Sequence, residues 1–210
     1  LYTSVDGGAR WEHIYTVTEA RGSVKIPRPN GDLLVVPGDV RPDPPGQWRT
    51  FSGPYILFQS GGRRLVVEAG GVRFEGMPRD IAPRVEERVF PGTVNRGVFH
   101  PEGDGFDVDG RLLATAWLHF QGDELNSTVV LESEDEGRTW RYLSTVAGPE
   151  AVPDAPEGPD EPSMVRLETG ELMCVMRVGS GPEWNLARAY GSDGGRSWSP
   201  ADRLPAFSVK

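Results

Sequence analysis

Two residues in the last third of the chain have a type and spacing suited to chemistry. Glu161 and Arg177 stand 16 residues apart, at the two ends of the run PSMVRLETGELMCVM. That run reads as a β-hairpin, two apolar stretches joined by a turn that contains glycine. In a tight hairpin the first strand leads away from its starting residue and the second leads back, so the two side chains come together. A carboxylate in such a place can accept a proton, and a guanidinium fork can hold a carboxylate through two parallel hydrogen bonds. The plainer alternative is an ion pair at the end of a sheet, worth ~0–1 kcal/mol if exposed.

The hairpin is one of three. The others are SVKIPRPNGDLLVV, from Ser23 to Val36, and GVFHPEGDGFDVDGRLLATAW, from Gly97 to Trp117. When the three are aligned, Arg21-Gly22, Arg96-Gly97 and Glu161-Pro162 fall just before the first strand. Arg21 and Arg96 are therefore candidates for the same pocket as Glu161, with an ordinary surface arginine as the alternative for each.

A second motif alternates with the hairpins. SEDEGRTW (Ser133 to Trp140), GSDGGRSW (Gly191 to Trp198) and SVDGGARW (Ser4 to Trp11) share Ser-x-Asp-x-Gly-x-Thr-Trp, with Gly191 and Arg10 as lapses. FQSGGRRL, from Phe58 to Leu65, is a poorer fourth copy. The glycine permits a positive φ, the aspartate accepts backbone N–H bonds across the turn, and the tryptophan anchors the turn to its sheet. Asp6, Asp135 and Asp193 are thus structural. One unit reads as hairpin, third strand, turn and fourth strand, which is the blade of an all-β propeller with four antiparallel strands per blade. Asp135 and Asp193 lie 58 residues apart and Asp6 and Ser60 lie 54 apart, whereas Ser60 and Asp135 are separated by 75. The longer unit carries an insertion, placed in VEAGGVRFEGMPRDIAPRVEER. The Pro-rich, acidic stretch Ala147 to Pro162 reads as a loop between blades.

The Ser-x-Asp-x-Gly-x-Thr-Trp motif resembles the Asp box of sialidases. EPSMVRLETGELMCVMR is similar to the sialidase stretch in which a glutamate opens one strand and an arginine ends the next. The resemblance implies the six-bladed sialidase-type propeller, of which this chain would cover roughly four blades. Residues 1–210 would then be one sialidase-like propeller domain, a fragment of the complete ring. It also implies an exo-α-sialidase-like glycosidase that removes sialic acid or a related acidic sugar from glycans, with no cofactor. On that resemblance Glu161 is catalytic, taking the proton of a tyrosine nucleophile expected beyond residue 210. Arg177 belongs to a trio that binds the sugar carboxylate, with Arg96 and Arg21 as candidate partners. Lys25-Ile26-Pro27 departs from the family's Arg-Ile-Pro, and that motif is expected before residue 1. Asp39 or Asp43 is the candidate acid/base. Tyr190, leading into a turn motif, is expected to pack in its sheet. Two alternatives stand beside this reading, a non-catalytic glycan-binding propeller and another carbohydrate-active enzyme, lyase or hydrolase, on the same scaffold.

Composition narrows the field further. The 210 residues carry a net charge of −9, which argues against a protein that tracks nucleic-acid phosphates. No apolar run approaches a membrane span. With 27 glycines and 19 prolines the chain suits many turns, and its single cysteine, Cys174, precludes an intrachain disulfide and leaves the compartment open. His100 and His119 near strand ends are weaker candidates for sugar contact, and an exposed histidine is the better reading of each. GDGFDVDG, from Gly103 to Gly110, has the wrong aspartate spacing for an EF-hand and reads as a turn, so no metal site is expected. The chain does not begin with Met, and we expect both ends to be cut from a longer protein.

Overall fold

The computed structural model describes residues 2–4, 6–13, 23–30, 32–37, 41–42, 48–50, 55–58, 72–78, 83–84, 96–97, 99–108, 110–179 and 185–205. The first turn motif lies between β1 (Tyr2–Thr3) and β2 (Glu12–His13). Then come β3 (Ser23–Pro27), β4 (Asp32–Pro37), β5 (Arg41–Pro42), β6 (Trp48–Thr50), β7 (Tyr55–Phe58), β8 (Val72–Glu75), β9 (Pro83–Arg84) and β10 (Arg96–Gly97). The next unit is β11 (Phe99–Val108), β12 (Arg111–Leu118), β13 (Ser127–Ser133) and β14 (Thr139–Ala147). The last comprises β15 (Asp160–Arg166), β16 (Leu172–Arg177), β17 (Leu186–Ser192), β18 (Ser197–Trp198) and β19 (Asp202–Arg203). Among the described residues the only helical element is a 3-10 turn, Pro149–Ala151.

Within each unit neighbouring strands run antiparallel. β11 to β14 follow one another across their sheet, β3, β4 and β7 across theirs, and β15, β16 and β17 across the last. β18 and β19 then share the far edge of β17. The two longest inner strands show why the units stack. Along β12 and β13 nearly every residue is buried, so both faces of this sheet are covered. Leu112, Ala114, Ala116 and Leu118 join Ile26, Leu34, Phe74 and Trp140 in one core, while Leu113 and Val130 join Met164, Cys174 and Met176 in the other. Alternate residues of one strand thus feed cores on opposite sides. The outer unit alternates more cleanly, β16 burying Leu172, Cys174 and Met176.

Parallel pairings join the units. β3 and β11, the first strands of their hairpins, run parallel and meet at Lys25 and Asp104. The approach depends on Gly105, because a Cβ there would lie 2.5 Å from the Leu113 carbonyl oxygen and 2.7 Å from Ile26. β8 arises from the expected insertion and pairs in parallel with β14, placing Phe74 opposite Trp140. Its alternation buries Val72 and Phe74, and it covers backbone groups that β14 would otherwise present at an edge. The fourth turn copy, centred on Ser60, lies outside the described residues.

Two of the three turn motifs share one hydrogen-bonding scheme. Ser133 donates to Asp135 Oδ1 at 2.9 Å, the Gly137 N–H donates to Ser133 Oγ at 3.0 Å, and the Thr139 N–H donates to Asp135 Oδ1 at 2.7 Å. Ser4, Asp6, Gly8 and Arg10 repeat these bonds at 2.8–2.9 Å. Burial works against the Asp135 charge, but the Thr139 N–H and Ser133 hydroxyl hold its pKa below the ordinary value. In the third copy Gly191 replaces the serine because a Cβ would fall 2.9 Å from the Trp198 ring. There the Gly195 N–H turns to the Ser192 carbonyl instead.

The tryptophans differ in depth. Trp140 is buried and donates Nε1–H to the Gly137 carbonyl, Trp198 is half-buried, and Trp11 is 64% exposed. The reading of the tryptophan as an anchor for its turn fits Trp140 most closely. An arginine at each of the first two hairpin turns clasps the next unit's structure: Arg28 grips Glu136 and Asp107, and Arg111 reaches the Gly194 carbonyl while paired with Glu132.

Trp140→Ala should cost about 3–5 kcal/mol in urea denaturation, as for other buried aromatic truncations. Trp11→Ala should stay within about 0.5 kcal/mol. A loss below about 1 kcal/mol at Trp140 would show that the indole does not hold its turn.

Candidate functional site

The first residues of β15 and the last of β16 form a charged cluster. Asp160 is the register partner of Arg177, and the ladder shifts between Asp160 and Ser163. Alternation along β15 turns Asp160, Pro162 and Met164 inward and Glu161 and Ser163 outward. Three carboxylates then surround the Arg177 guanidinium. Nε donates to Glu161 at 2.8 Å, Nη1 to Glu157 at 2.7 Å and Nη2 to Asp160 at 2.8 Å. Nη1 also donates to the Gly179 carbonyl at 3.1 Å. The Asp160 side chain is 2% exposed and that of Arg177 14%, whereas those of Glu157 and Glu161 are 47% and 48% exposed. The cluster therefore has a buried floor and an open acidic rim.

The floor is built from two segments. Asn126, immediately before β13, donates Nδ2–H to Asp160 Oδ2 at 3.1 Å, and its own N–H donates to the Glu157 carbonyl at 2.8 Å. Thr128 donates to the Pro159 carbonyl at 3.0 Å. Gly158, at φ 77°, lies so close to Asn126 that a Cβ would stand 2.4 Å from its carbonyl oxygen. The loop before β15 is thus pinned to the start of β13. Asp160 Oδ1 and Asn126 Oδ1 are both buried and make no hydrogen bond. Burial, together with the charges of Glu161 and Glu157 and against the pull of Arg177, pushes the Asp160 pKa up to about 6.

Glu161 has a further feature. Its φ is 42°, in the left-handed region that side chains other than glycine rarely adopt. Glu136 and Asp193 share that region, and both sit in the repeated turns. Glu161 alone of the three lies within the first residues of a long strand, as the second residue of β15, in a conformation that costs of order 1–3 kcal/mol and clusters at functional sites.

The structure brings together the two candidates from the last hairpin, Glu161 and Arg177. Arg96 pairs through its backbone with Arg84 in a separate two-stranded sheet, and its side chain lies outside the described residues. Arg21, Asp39 and Asp43 also lie outside them. Lys25 is exposed on β3, and Tyr190 is half-buried in β17 with the Arg188 guanidinium 5.6 Å from its ring centroid. Asp160, Glu157 and Asn126 were not singled out from the sequence. For Asp160 a signal was present: counting back by twos from buried Met164 places it inward. Glu157 and Asn126 reach the cluster only through loop packing. Cys174 is buried, which pushes its thiol pKa up to about 12 and makes it inert.

At the same end of the strands a cleft of about 440 Å³ is lined by Asp123, Glu124, Leu125, Pro149 and Glu150. Among the described residues no group of three or more histidine, cysteine or acidic side chains is arranged to hold a metal ion.

No family model and no curated protein matches the chain. Solved structures do. A Dyadobacter fermentans protein of unknown function matches over 92% of this chain and 54% of its own, with TM-score 0.53 and 19% identity. An α-L-arabinanase from Penicillium chrysogenum, solved with arabinobiose, matches over 93% of this chain and 52% of its own, with TM-score 0.50 and 18% identity. A GH43_1 enzyme from Xanthomonas citri, solved with xylotriose, matches over 87% and 54%, with TM-score 0.51 and 12% identity. The chain shares its fold with β-propeller glycosidases. At these identities the likeness is one of fold, and the chain spans about half the length of these structures.

A carboxyl whose pKa is raised by folding stabilises the native state while protonated. The Asp160 contribution should be complete below its ordinary 3.8 and lost as pH rises through about 6. Asp160→Asn mimics the protonated form, so the wild type should lose stability relative to this variant between those two values, measured as the difference in Tm. A difference that stays flat would place the Asp160 pKa at its ordinary value.

Proposed function

We propose that the protein is a glycoside hydrolase whose reacting end is the start of β15, with Glu161 as its working carboxylate. The observation that supports this most directly is the geometry of Glu161. It is strained at φ 42°, half-exposed at a sheet end, and held at 2.8 Å by an arginine that is itself fixed by a buried aspartate. Such an arrangement keeps a carboxylate in place to take a proton from an attacking hydroxyl. Glycosidases work through carboxylates placed in this way, and the solved structures of like fold include enzymes holding arabinobiose and xylotriose. The substrate is then a terminal sugar of a glycan.

A narrower reading is an exo-α-sialidase, with Arg177 binding an acidic sugar and Glu161 serving a tyrosine nucleophile. The observation in its favour is the approach of Glu161 to Arg177 across one hairpin, joined to the repeated turn motifs. A glycan-binding propeller without activity is the competing class, and it predicts sugar binding with no turnover.

Turnover of a panel of aryl glycosides, aryl sialoside included, tests the proposal. Glu161→Gln should lower kcat about 10²–10⁴-fold, with KM changed far less, because the shape is kept and the proton acceptor lost. Wild-type rates in this variant would make the cluster a structural ion pair only.

A further inference from the structure

We infer that the site selects sugars without a carboxylate. This rests on the glycosidase reading and names the substrate class of that same site. The reasoning begins with the donors of Arg177. A guanidinium offers five N–H groups. Nε gives one to Glu161, Nη1 gives one to Glu157 and one to Gly179, and Nη2 gives one to Asp160. A sugar carboxylate needs two adjacent N–H groups for a fork, and both edges of this guanidinium already face protein carboxylates. To bind on either edge, an acidic sugar would have to displace Glu157 or Glu161 from its N–H group.

Charge points the same way. Among the described residues three carboxylates face one guanidinium, so this group of four stays net negative whether or not Asp160 holds a proton. The cleft at the same end adds Asp123, Glu124 and Glu150. An anionic sugar would meet like charge at each of these positions. A neutral sugar is matched instead, because carboxylates are acceptors only and sugar hydroxyls are donors. Glu157 and Glu161, each with about half its side chain exposed, present such acceptors at the rim. Arg177 thereby serves as the fixed counter-charge that holds the acceptors in place, and its fork is not spent on the ligand.

Matched aryl glycosides that differ only at C6, hexoside against hexuronide, test this in the intact protein, with an aryl sialoside and an aryl pentoside alongside. The neutral member should exceed the anionic one in kcat/KM by about tenfold or more at low salt. The gap should narrow as salt rises from about 0.05 M to about 0.5 M, through screening. Glu157→Gln should raise the anionic-to-neutral ratio at least about threefold, by freeing one guanidinium edge. A preference for the hexuronide or sialoside, or a ratio that neither salt nor Glu157→Gln moves, would overturn the inference and leave the glycosidase reading standing. If no glycoside is turned over, that reading falls, and saturation-transfer NMR with a neutral sugar and its uronate then decides the inference alone. Binding of the neutral sugar only would uphold it, while binding of the uronate, or of neither, would end it.

Discussion

The architecture depends on a carboxylate that closes a turn. In the motifs around Asp6 and Asp135 an aspartate oxygen and a neighbouring hydroxyl take up N–H groups that the reversal of the chain leaves without sheet partners, and at Asp193 the carboxylate takes the Ser197 hydroxyl instead. In the central unit the Gly137 carbonyl then receives the Trp140 indole, so the turn is tied to a buried aromatic as well as to its own backbone. A turn fixed in this way sets where the fourth strand starts, and that strand fixes which face of the sheet Trp140 enters. The arginines at the hairpin turns extend the same constraint between units. Arg28 meets Glu136 inside the turn motif itself, so the spacing of neighbouring sheets is held by charge as well as by core packing.

The central sheet shows how far this stacking goes. β12 and β13 have no solvent face to speak of, and successive side chains enter two different cores. A sheet buried on both faces cannot shift by one residue without exchanging its two sets of side chains. That rigidity is what allows the loop before β15 to be pinned to Asn126 and Thr128 and to hold Asp160 below the surface. The charged cluster is consequently an extension of the packing and not an ornament on a mobile loop.

Burying Asp160 carries a cost that its surroundings only partly offset. One oxygen is paired with Arg177 and Asn126, and the other is without a partner. An unsatisfied buried oxygen beside a strained glutamate is the kind of local compromise that folding alone does not select. It is consistent with a site in which the position of Glu161 matters more than stability. The same cluster also separates two uses of an arginine. A fork open to solvent recruits an anion, whereas one ringed by carboxylates organises acceptors.

The fold class was legible in the sequence because its causes are local. The turn motif needs only an aspartate, a glycine and a tryptophan at fixed spacing, and the alternation of β15 and β16 is set by the period of a strand. The meeting of Glu161 with Arg177 followed from hairpin geometry for the same reason. Tertiary structure decided what hairpin geometry does not contain. β8 became a strand because the edge of β14 and the Trp140 core were there to receive it. Trp11 and Trp198 differ from Trp140 in depth because burial depends on what packs over a turn and not on the turn's own residues. Glu157 and Asn126 joined the cluster through a loop contact between different units, Glu157 taking an N–H of Arg177 and Asn126 holding Asp160. A pair of residues can be read from spacing, but the charge of a site is the sum of everything the fold brings to it.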